Sequence, residues 1–297
     1  MMASVAGPDV TPASGQPAFV DLQVHTTASD GALSPTDVVE AAQRANLAAI
    51  AITDHDTIDG VAEALAVGAR VGVRIVTGVE LSTHFGGDEL HLLGLHLSHT
   101  DTMRAELLRF RHDRIGRAER VVDLLVRLGV PVTMDAVMHE AGQGAVGRPH
   151  IARAMIAAGL VKDFREAFDR WLGLGRPAYV EKPRFDVAEG IALVHRAGGL
   201  AVWAHPGEWA TSARVATLAA AGLDGVEVLH PGHPPIVVQK LLSIVEATGL
   251  LASGGSDWHG THEGPRRLGG QMVPKVWLDK QDDVVNARRL MPAADRP

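Results

Sequence analysis

Short apolar runs alternate with longer amphipathic stretches along most of the chain. Short runs bounded by polar residues are typical of buried β-strands, whereas apolar positions three and four residues apart are typical of helices. The runs predict strands at residues 19–24, 48–53, 74–80, 90–95, 200–204, 225–229 and 250–253, with a further edge strand at 273–278. Strands that alternate with helices in this way predict an α/β fold built around a parallel sheet or barrel.

The segments between these runs carry signals for helix ends. Ser34 is suited to cap a helix that runs to Asn46, because a serine side chain accepts a hydrogen bond from the first turn and Pro35 fits the first helical position. Further helices are predicted at residues 186–197, 211–221 and 235–248. The glycines at positions 198, 222 and 249 suit the ends of these helices.

The pattern of apolar residues changes between residues 100 and 178. No strand is predicted there, and helical patterns follow one another at 103–128, 134–141, 149–158 and 163–172. We interpret 100–178 as a small helical domain inserted into a barrel formed by 18–99 and 179–280. A C-terminal helix and tail take up 281–297. Residues 1–17 lack a basic start followed by an apolar run, so we interpret them as a flexible tail and not as a signal peptide.

Composition narrows the range of functions. The chain has 297 residues, of which 46% are hydrophobic and 21% are charged, and this is enough for a large core. It contains no cysteine, so disulfides, thiolate metal sites and a cysteine nucleophile are excluded. The apolar runs are far shorter than the roughly 20 residues that span a bilayer, so we expect a cytoplasmic protein with no membrane partner.

The net charge bears on the partners of the protein. A formal charge of −7 argues against binding to long nucleic acid, which usually requires a basic surface. A phosphorylated small molecule or a short oligonucleotide is compatible with this charge, because bound metal ions reverse the sign of the potential locally. The sequence favours no particular oligomeric state.

Residue types that ligate metals recur at the ends of the predicted strands. Eight of them are His25, Asp30, His55, Glu80, His91, His205, Asp257 and His259, and Gln23 occupies a ninth position beside them. Alternate residues of a strand point to the same side, so residue 23 is placed to share an ion with His25. In barrels of this kind, active sites gather at the carboxyl ends of the strands.

The histidines have to be judged together. An isolated histidine is more often a hydrogen-bonded structural group than a ligand, but eight candidate ligands at successive strand ends predict a joint metal site. Imidazoles and carboxylates without sulfur suit Zn²⁺, Mn²⁺ or Fe, and a carboxylate such as Glu80 or Asp257 can bridge two ions. We therefore expect divalent ions at this site.

The same motifs resemble those of the PHP (polymerase and histidinol phosphatase) family of metal-dependent phosphoesterases. The similar segments are Asp21-Leu22-Gln23-Val24-His25, Ser29-Asp30-Gly31, Ile52-Thr53-Asp54-His55-Asp56-Thr57, Gly78-Val79-Glu80, His91, Ala204-His205-Pro206 and Ser256-Asp257-Trp258-His259. The resemblance covers about residues 18–277. Within the insert, Gly147-Arg148-Pro149-His150-Ile151 is similar to the branch that acts on nucleoside phosphates and short RNA. The family implies a distorted (β/α)7 barrel with up to three metal ions.

The resemblance also implies a ligand set for each ion. The first ion would take Gln23, His25, Glu80 and Asp257, the second would take Glu80, His91 and His205, and the third would take Asp30, His55 and His259. The chain departs from the family at position 23, where the motif has histidine. An amide oxygen is a poorer ligand than imidazole for a borderline-soft cation, so we expect the first site to be weak, empty or filled only with substrate.

Three further residues are candidates for contacts to the substrate. Ions a few ångströms apart lower the pKa of a bridging water, so the expected nucleophile is hydroxide and not a side chain. Arg148 is the candidate clamp for the phosphate, because guanidinium offers a planar fork to two oxygens, although a bond at a helix start is its alternative role. His150 and His230 are candidate contacts to the leaving group, or supports for the ligands.

A row of arginines at positions 109, 111, 114, 117 and 120 lies on one predicted helix. Spacings of three place several of them on one stripe, which would attract a phosphate chain. Acidic residues at 106, 113, 119 and 123 interrupt the row, so a solvated face with ion pairs is the commoner explanation.

These observations favour a hydrolase that removes phosphate from nucleotide-like esters, or trims short oligoribonucleotides, with the help of divalent ions. Two alternatives stay open. One is a phosphatase for a small metabolite such as histidinol phosphate. The other is a non-catalytic metal or nucleotide binder, which the missing histidine at position 23 would suit.

Overall fold

The computed structural model describes residues 18–142, 146–181, 185–260 and 265–291. The predicted N-terminal tail at 1–17 lies outside these ranges, as do residues 292–297. Among the described residues, no helix is both long and apolar enough to cross a membrane.

Within the described ranges, eight strands form one sheet, and their positions follow the predicted pattern closely. The strands are β1 (Phe19–Val24), β2 (Ala49–Ile52), β3 (Arg74–Phe85), β4 (Asp88–Leu95), β5 (Leu200–Trp203), β6 (Gly225–Leu229), β7 (Leu251–Gly254) and β8 (Val273–Pro274). Their order in the sheet is β7-β6-β5-β4-β3-β2-β1-β8.

The sheet curls into a distorted barrel. Strands β1 to β3 are parallel to one another, as are β5 to β7, whereas β4 runs antiparallel to both of its neighbours. The sheet nearly closes because the segment after β7 returns to β1. There the backbone N–H of Asp257 donates to the carbonyl of Gln23 (3.0 Å), and that of His25 donates to the carbonyl of Trp258 (2.9 Å). The predicted α/β barrel is confirmed.

Helices cover the barrel and fill the long connection between β4 and β5. They are α1 (Pro35–Arg44), α2 (Val61–Val71), α3 (Thr100–Arg127), α4 (Met134–Ala141), α5 (Arg148–Ala157), α6 (Phe164–Ala167), α7 (Val187–Arg196), α8 (Ser212–Ala220), α9 (Pro235–Thr248) and α10 (Lys275–Leu290). A π-helical turn at Phe168–Leu172 continues α6.

Local sequence signals explain several helix ends. The side chain of Ser34 accepts a hydrogen bond from the backbone N–H of Asp37 (3.1 Å) at the start of α1, and Asp186 accepts one from Ala188 at the start of α7 (2.8 Å). The structure also differs from the prediction: β3 continues to Phe85 and α10 begins at Lys275. Helix α2 was not predicted. The predicted edge strand at 273–278 is a strand only over its first two residues. Pro274 has no N–H to donate to a ladder, so the strand ends there and α10 follows.

Helix α3 connects two hydrophobic cores. One large cluster lies where the strands meet α1, α2, α7, α8 and α9, and it includes Met103 and Leu107 from the first half of α3. A second cluster belongs to α3 to α6 with their flanking loops, and it includes Val121 and Leu125 from the second half of α3. The helical segment after β4 is therefore anchored to the barrel through one continuous helix.

A buried carboxylate just before β6 links four elements. Asp224 accepts hydrogen bonds from the backbone N–H of Ala201 in β5 (2.7 Å) and from Nε2 of His195 in α7 (2.8 Å), and it forms an ion pair with Arg288 in α10. Burial raises the pKa of Asp224, but the bonds from His195 and Arg288 outweigh this effect and hold its pKa below the usual value. The ionised carboxylate therefore stabilises the fold.

We expect the Asp224→Asn variant to lose about 2–4 kcal/mol of unfolding free energy at pH 7, because it leaves His195 and Arg288 without their charged partner. Since the folded-state pKa is depressed, this contribution is present above about pH 4 and disappears as the pH falls through the folded-state value. Denaturant titration of both proteins at several pH values measures it. The exposed pair Arg70–Glu40 provides the control, where Glu40→Gln should cost less than about 1 kcal/mol. A constant difference between the proteins from pH 7 to pH 3 would contradict the prediction.

Candidate metal centre

The structure brings the nine predicted ligand positions together at one end of the barrel. His25 follows β1, His55 follows β2, Glu80 lies on β3 and His91 lies on β4. The others come from loops. Asp30 lies between β1 and α1, His205 follows β5, and Asp257 and His259 follow β7.

Glu80 occupies the centre of this cluster and is fully buried. Its Oε1 lies 2.7 Å from Nδ1 of His91 and 2.9 Å from Nε2 of His205. Its Oε2 lies 2.9 Å from Nε2 of Gln23 and 3.1 Å from Nε2 of His25. One carboxylate therefore meets side chains from three other strands or strand ends, which is the arrangement expected of a bridging ligand.

Three groups of side chains are close enough to share an ion. His25, Glu80 and Asp257 form the first, His55, Glu80 and His91 the second, and His25, Asp30, His55 and His259 the third, with ligand atoms in each group within 4.8 Å of one another. These groups resemble the predicted ligand sets, with two differences. His55 also belongs to the group around Glu80, and His25 also belongs to the group around Asp30. His205 meets the cluster through Glu80.

The donor atoms fit divalent ions. Ligand atoms that each lie about 2.0–2.2 Å from a tetrahedral ion are themselves about 3–3.5 Å apart. Nε2 of His25 lies 3.1 Å from Oε2 of Glu80 and 3.1 Å from Oδ1 of Asp257, and Nε2 of His259 lies 3.3 Å from Oδ1 of Asp30. Both ring nitrogens of His25 are buried and make no hydrogen bond of ordinary geometry. A bound cation would supply the partner that they lack.

The carboxylates change the protonation of the histidines. Burial lowers the pKa of His25, but the nearby carboxylates of Asp257 and Glu80 outweigh it and raise that pKa to about 10. Burial likewise lowers the pKa of His91, while Glu80 and Glu89 raise it to about 10. The imidazoles hold the pKa of Glu80 well below its usual range, against the effect of burial. Protons and metal ions therefore compete for the same nitrogens.

A close turn carries Asp30 back to the cluster. A Cβ on Gly31 would lie 2.7 Å from the carbonyl carbon and oxygen of His25, so only glycine fits there. Asp54 holds the same turn, since it accepts hydrogen bonds from the backbone N–H of Thr26 (2.7 Å) and from Oγ of Ser29 (2.6 Å). Asp54 thus supports the loop that carries Asp30.

Two carboxylates lie buried beneath the ligands. Burial raises the pKa of Asp21 to about 6, although Ser256 and Gly269 donate backbone N–H groups to it (both 2.8 Å). Burial also raises the pKa of Glu227 well above its usual range, and its Oε2 accepts the backbone N–H of His205 (2.7 Å). Asp21 therefore fixes the loop that carries Asp257, while Glu227 fixes the backbone that carries His205.

His230, predicted to contact the substrate or support the ligands, lies beside Asp257. Its Nδ1 accepts the backbone N–H of Gly232 (3.0 Å), and its Nε2 lies 3.5 Å from Oδ2 of Asp257. Burial lowers its pKa. Neutral His230 therefore carries its proton on Nε2, on the side of the cluster. Arg266 forms an ion pair with the same Oδ2 (2.7 Å), a contact that the sequence did not indicate.

A cavity of about 540 Å³ opens beside the cluster. One wall contains Asp30, His55 and His91, and the other comes from the helical insert. The insert residues that line it are Arg104, Leu107, Leu108, Phe110, Arg111 and Arg114 of α3, Glu140 and Ala141 of α4, and His150 and Arg153 of α5. The metal centre and the insert therefore share one pocket.

Two predicted substrate contacts differ in where they point. His150 lines the cavity, and its Nδ1 accepts the backbone N–H of Gly147 (3.0 Å), which leaves Nε2 as the donor. Arg148 is not among the lining residues: it donates to the carbonyl of Leu172 (3.1 Å) and lies against the Phe168 and Tyr179 rings, 5.7 and 5.4 Å from their centroids. Arg148 therefore faces the insert core, and its role as a phosphate clamp stays a prediction.

The row of arginines on α3 is divided between different surroundings. Arg111 and Arg114 line the cavity, Arg117 donates to the carbonyl of Val180 (2.6 and 2.8 Å), and Arg109 pairs with Glu106 (2.9 Å). Arg114 also forms an ion pair with Asp56, next to His55. The helical spacing of Arg104, Leu107, Leu108 and Arg111 would have indicated the cavity face, since positions separated by three, four and seven residues share one side of a helix.

Comparisons with known proteins agree with this site. The PHP domain family matches residues 21–130. A 3′,5′-nucleoside bisphosphate phosphatase of Chromobacterium violaceum is 34% identical over 259 residues, covering 85% of this chain and 91% of the relative. A 5′-3′ exoribonuclease of Haemophilus influenzae is 36% identical over 246 residues, covering 80% of this chain and 89% of the relative.

Solved structures show the same fold. A candidate metal-dependent phosphoesterase of Bifidobacterium adolescentis superposes with a TM-score of 0.70 at 32% identity, covering 90% of this chain and 96% of that one. An amidohydrolase of Chromobacterium violaceum, determined with bound sulfate and without metal, gives a TM-score of 0.68 at 32% identity. The match covers 91% of this chain and 96% of that one.

We expect metal binding to release protons at pH 7.5, because His25 and His91 are protonated in the metal-free protein and must lose their protons to become ligands. Since their pKa values are raised, affinity for Zn²⁺ or Mn²⁺ should fall steadily as the pH is lowered from 9 to 6. Calorimetric titration in two buffers with different ionisation enthalpies counts the protons released. The His99→Ala variant, changed outside the cluster, serves as the control. Heats that do not depend on the buffer would show that the imidazoles are already neutral.

Proposed function

Because this chain belongs to the PHP family and is a metal-dependent hydrolase of phosphoric esters, we propose that it acts on phosphate esters of nucleotides or short oligoribonucleotides. The observation that carries this proposal is a single pocket in which Asp30, His55 and His91 of the ligand cluster face an arginine-lined wall. Relatives named for a nucleoside bisphosphate and for RNA support the choice of substrate class.

The proposed cofactor is a set of two or three divalent ions, Mn, Zn or Fe, held by the groups around Glu80, Asp257 and Asp30. Bound there, such ions lower the pKa of water and offset the negative charge on phosphate and leaving-group oxygens. The ligand set contains imidazole and carboxylate only, which suits these metals.

The remaining roles fall to the side chains around the ions. Neutral His230 holds a proton on Nε2 beside Asp257, so it is suited to donate a hydrogen bond to a phosphate or leaving oxygen. His150 offers Nε2 from the opposite wall of the cavity. Glu227 and Asp21 position the loops after β5 and β7 and do not themselves reach the cavity wall among the described residues.

Gln23 sets the number of tightly held ions. Its Nε2 donates to Oε2 of Glu80 (2.9 Å), and its Oε1 is buried with no hydrogen-bond partner. The amide N–H therefore already hydrogen-bonds to Oε2 of Glu80, an oxygen that the first ion would otherwise bind. We propose that two ions bind tightly and that the site next to Gln23 binds a third ion weakly.

We expect elemental analysis of the purified, dialysed protein to find about two tightly held ions per chain, and the Gln23→His variant to approach three, because imidazole is the stronger ligand. The Gln23→Leu variant removes both the donor and the ligand oxygen, so it should hold no more than the original protein. Three ions in the unchanged protein, with no gain in Gln23→His, would refute the weak site.

We expect the metal-loaded protein to release phosphate or nucleotides from a panel of nucleoside 3′- and 5′-phosphates, nucleoside 3′,5′-bisphosphates and short RNA. Exhaustive chelation should abolish this activity, and added Mn²⁺ should restore it. Removing one central ligand with Glu80→Gln should lower kcat by at least about 100-fold. The control is Glu246→Gln on α9, which lies outside the cluster.

Two results would favour a different function. Turnover of histidinol phosphate alone would favour the small-metabolite phosphatase. Binding of nucleotides without turnover, in protein verified to be metal-loaded, would favour a non-catalytic binder.

A further inference from the structure

An exposed tryptophan lies close to the metal centre, on a different side from the cavity. Trp209 ends a turn of 3₁₀ helix at Gly207–Trp209, which begins two residues after the candidate ligand His205. Four residues of extended chain span at most about 14 Å, so the Cα atoms of His205 and Trp209 lie within that distance. Trp209 is 47% exposed. A large aromatic side chain therefore faces solvent at the rim of the barrel mouth.

Hydrogen bonds to two neighbouring elements fix the turn that carries Trp209. The backbone N–H of Gly207 donates to Nε2 of His233, which follows β6 (3.0 Å). Nζ of Lys240 in α9 donates to the carbonyl of Glu208 (3.0 Å). The backbone is thus held before any ligand arrives, so a contact to the ring costs little conformational entropy.

Two cations lie next to the indole ring. Cζ of Arg214 in α8 lies over the ring of Trp209, 4.7 Å from its centroid. Stacking uses the flat surface of the guanidinium, and its N–H donors lie in the plane and point outward to possible oxygen acceptors. Lys240 brings a second positive charge to the backbone of Glu208, the residue before Trp209. Trp209 keeps its 47% exposure with Arg214 in place, so part of the ring stays open to a ligand.

An apolar side chain extends this surface along α9. Ile236 is 71% exposed and lies four residues before Lys240, on the same side of the helix. We call Trp209, Arg214, Ile236 and Lys240 the rim patch. Two cations and the single carboxylate of Glu208 give this surface a positive balance, in a chain whose formal charge is −7. An open aromatic ring beside cations is the combination that binds single-stranded nucleic acid.

The metal centre lies between the rim patch and the cavity. The cavity is lined from the loops after β1 and β2, from β3 and β4, and from the helical insert. In the described part of the chain, the loops after β5 and β6 contribute no side chain to this lining, although His205 belongs to the ligand cluster. A phosphodiester carries a nucleoside on each side of its phosphorus, whereas a mononucleotide carries one. With one nucleoside in the cavity, the other side of a diester points toward the rim patch.

We propose that the rim patch binds the remaining nucleotides of a short single-stranded oligonucleotide, with one base stacked on Trp209 and backbone phosphates beside Arg214 and Lys240. This inference rests on the proposed function. It assigns a preference for oligonucleotides over single nucleotides to the loop after β5 and to helices α8 and α9. The rim patch contributes binding alone and takes no part in the covalent step.

The first test compares a substrate that reaches the rim patch with one that does not. For metal-loaded Trp209→Leu, kcat/KM is measured with a five-nucleotide RNA and with adenosine 3′,5′-bisphosphate. The ratio of the RNA value to the bisphosphate value should fall at least about fivefold, mainly through KM, because one stacked base is lost. Trp209→Tyr keeps an aromatic ring, so it should retain most of the ratio. Leucine keeps apolar volume without a ring, so the pair separates stacking from apolar contact.

A matched variant elsewhere on the surface provides the control. Phe164 on α6 of the helical insert is also aromatic and 42% exposed. Phe164→Leu should leave the ratio of the two kcat/KM values unchanged. Thermal melting verifies that each variant is folded.

Binding of the same RNA to the chelated protein provides a readout that does not need catalysis. Trp209 is one of five tryptophans, so stacking of a base should quench part of the tryptophan emission. Trp209→Tyr should lose that part and still bind the RNA. In Lys240→Gln, the slope of log affinity against log salt concentration should be shallower by about 0.7, the contribution of one phosphate contact to a single strand.

An unchanged ratio in Trp209→Leu, together with unchanged RNA affinity, would overturn the inference. An equal fall in Trp209→Tyr and Trp209→Leu would also overturn it, because the ring would then matter only for local structure. RNA binding that depends on Trp209 in a protein that hydrolyses no ester would remove the proposed function and leave the rim patch. RNA hydrolysis that does not depend on Trp209 would leave the proposed function and remove the rim patch.

Discussion

The buried carboxylate of Glu80 is the constraint on which the rest of the site depends. A fully buried negative charge is stable only with compensating partners, and those of Glu80 come from Gln23, His25, His91 and His205. Gln23 and His25 lie on β1 and directly after it, whereas His91 lies on β4 and His205 follows β5. In the β3–β4 hairpin, Glu80 pairs with Leu93 and Ser82 pairs with His91. A slip of one residue would turn these side chains to the opposite face, so the register of the barrel and the chemistry of its mouth are fixed together.

The loops at the mouth hold unusual backbone conformations that the barrel supports. Asp56, His205 and Asp257 have positive φ values of 51°, 32° and 49°. Such conformations cost on the order of 1–3 kcal/mol each for residues other than glycine. All three backbone N–H groups are bonded inward, to the carbonyl of Glu80, the carboxylate of Glu227 and the carbonyl of Gln23. The strain is therefore balanced by bonds to the same strands that carry the ligands, and it directs three chain segments toward one point.

Periodicity was enough to predict most strand positions, because it is a short-range pattern. The convergence of the nine ligand positions could be predicted because the strand ends of a barrel meet at one mouth. Through-space partners were not accessible in the same way. Arg148 stood out because it belongs to a recognisable motif, yet its guanidinium packs against Phe168 and Tyr179. Arg153, three residues after His150, shares the cavity face instead, a distinction that follows from the helical period once α5 is known. The antiparallel direction of β4, by contrast, follows from a local signal that the prediction did not use. Gly86 and Gly87 form a two-residue turn between Phe85 and Asp88, and both have positive φ values, 61° and 98°.

The helical insert is mechanically part of the metal centre. The first half of α3 packs in the barrel core and the second half packs in the insert core, so displacement of either end moves the whole helix. Midway along it, Arg114 pairs with Asp56, whose carboxylate also accepts bonds from the backbone N–H and Oγ of Ser82 (both 2.9 Å). Asp56 directly follows His55 and donates its own N–H to Glu80 (2.9 Å). One ion pair therefore joins the helix that faces the substrate to the turn and the strand that carry ligands. A ligand that shifted α3 within the cavity would therefore pull on the turn after His55 and on Ser82 of β3, two residues from Glu80.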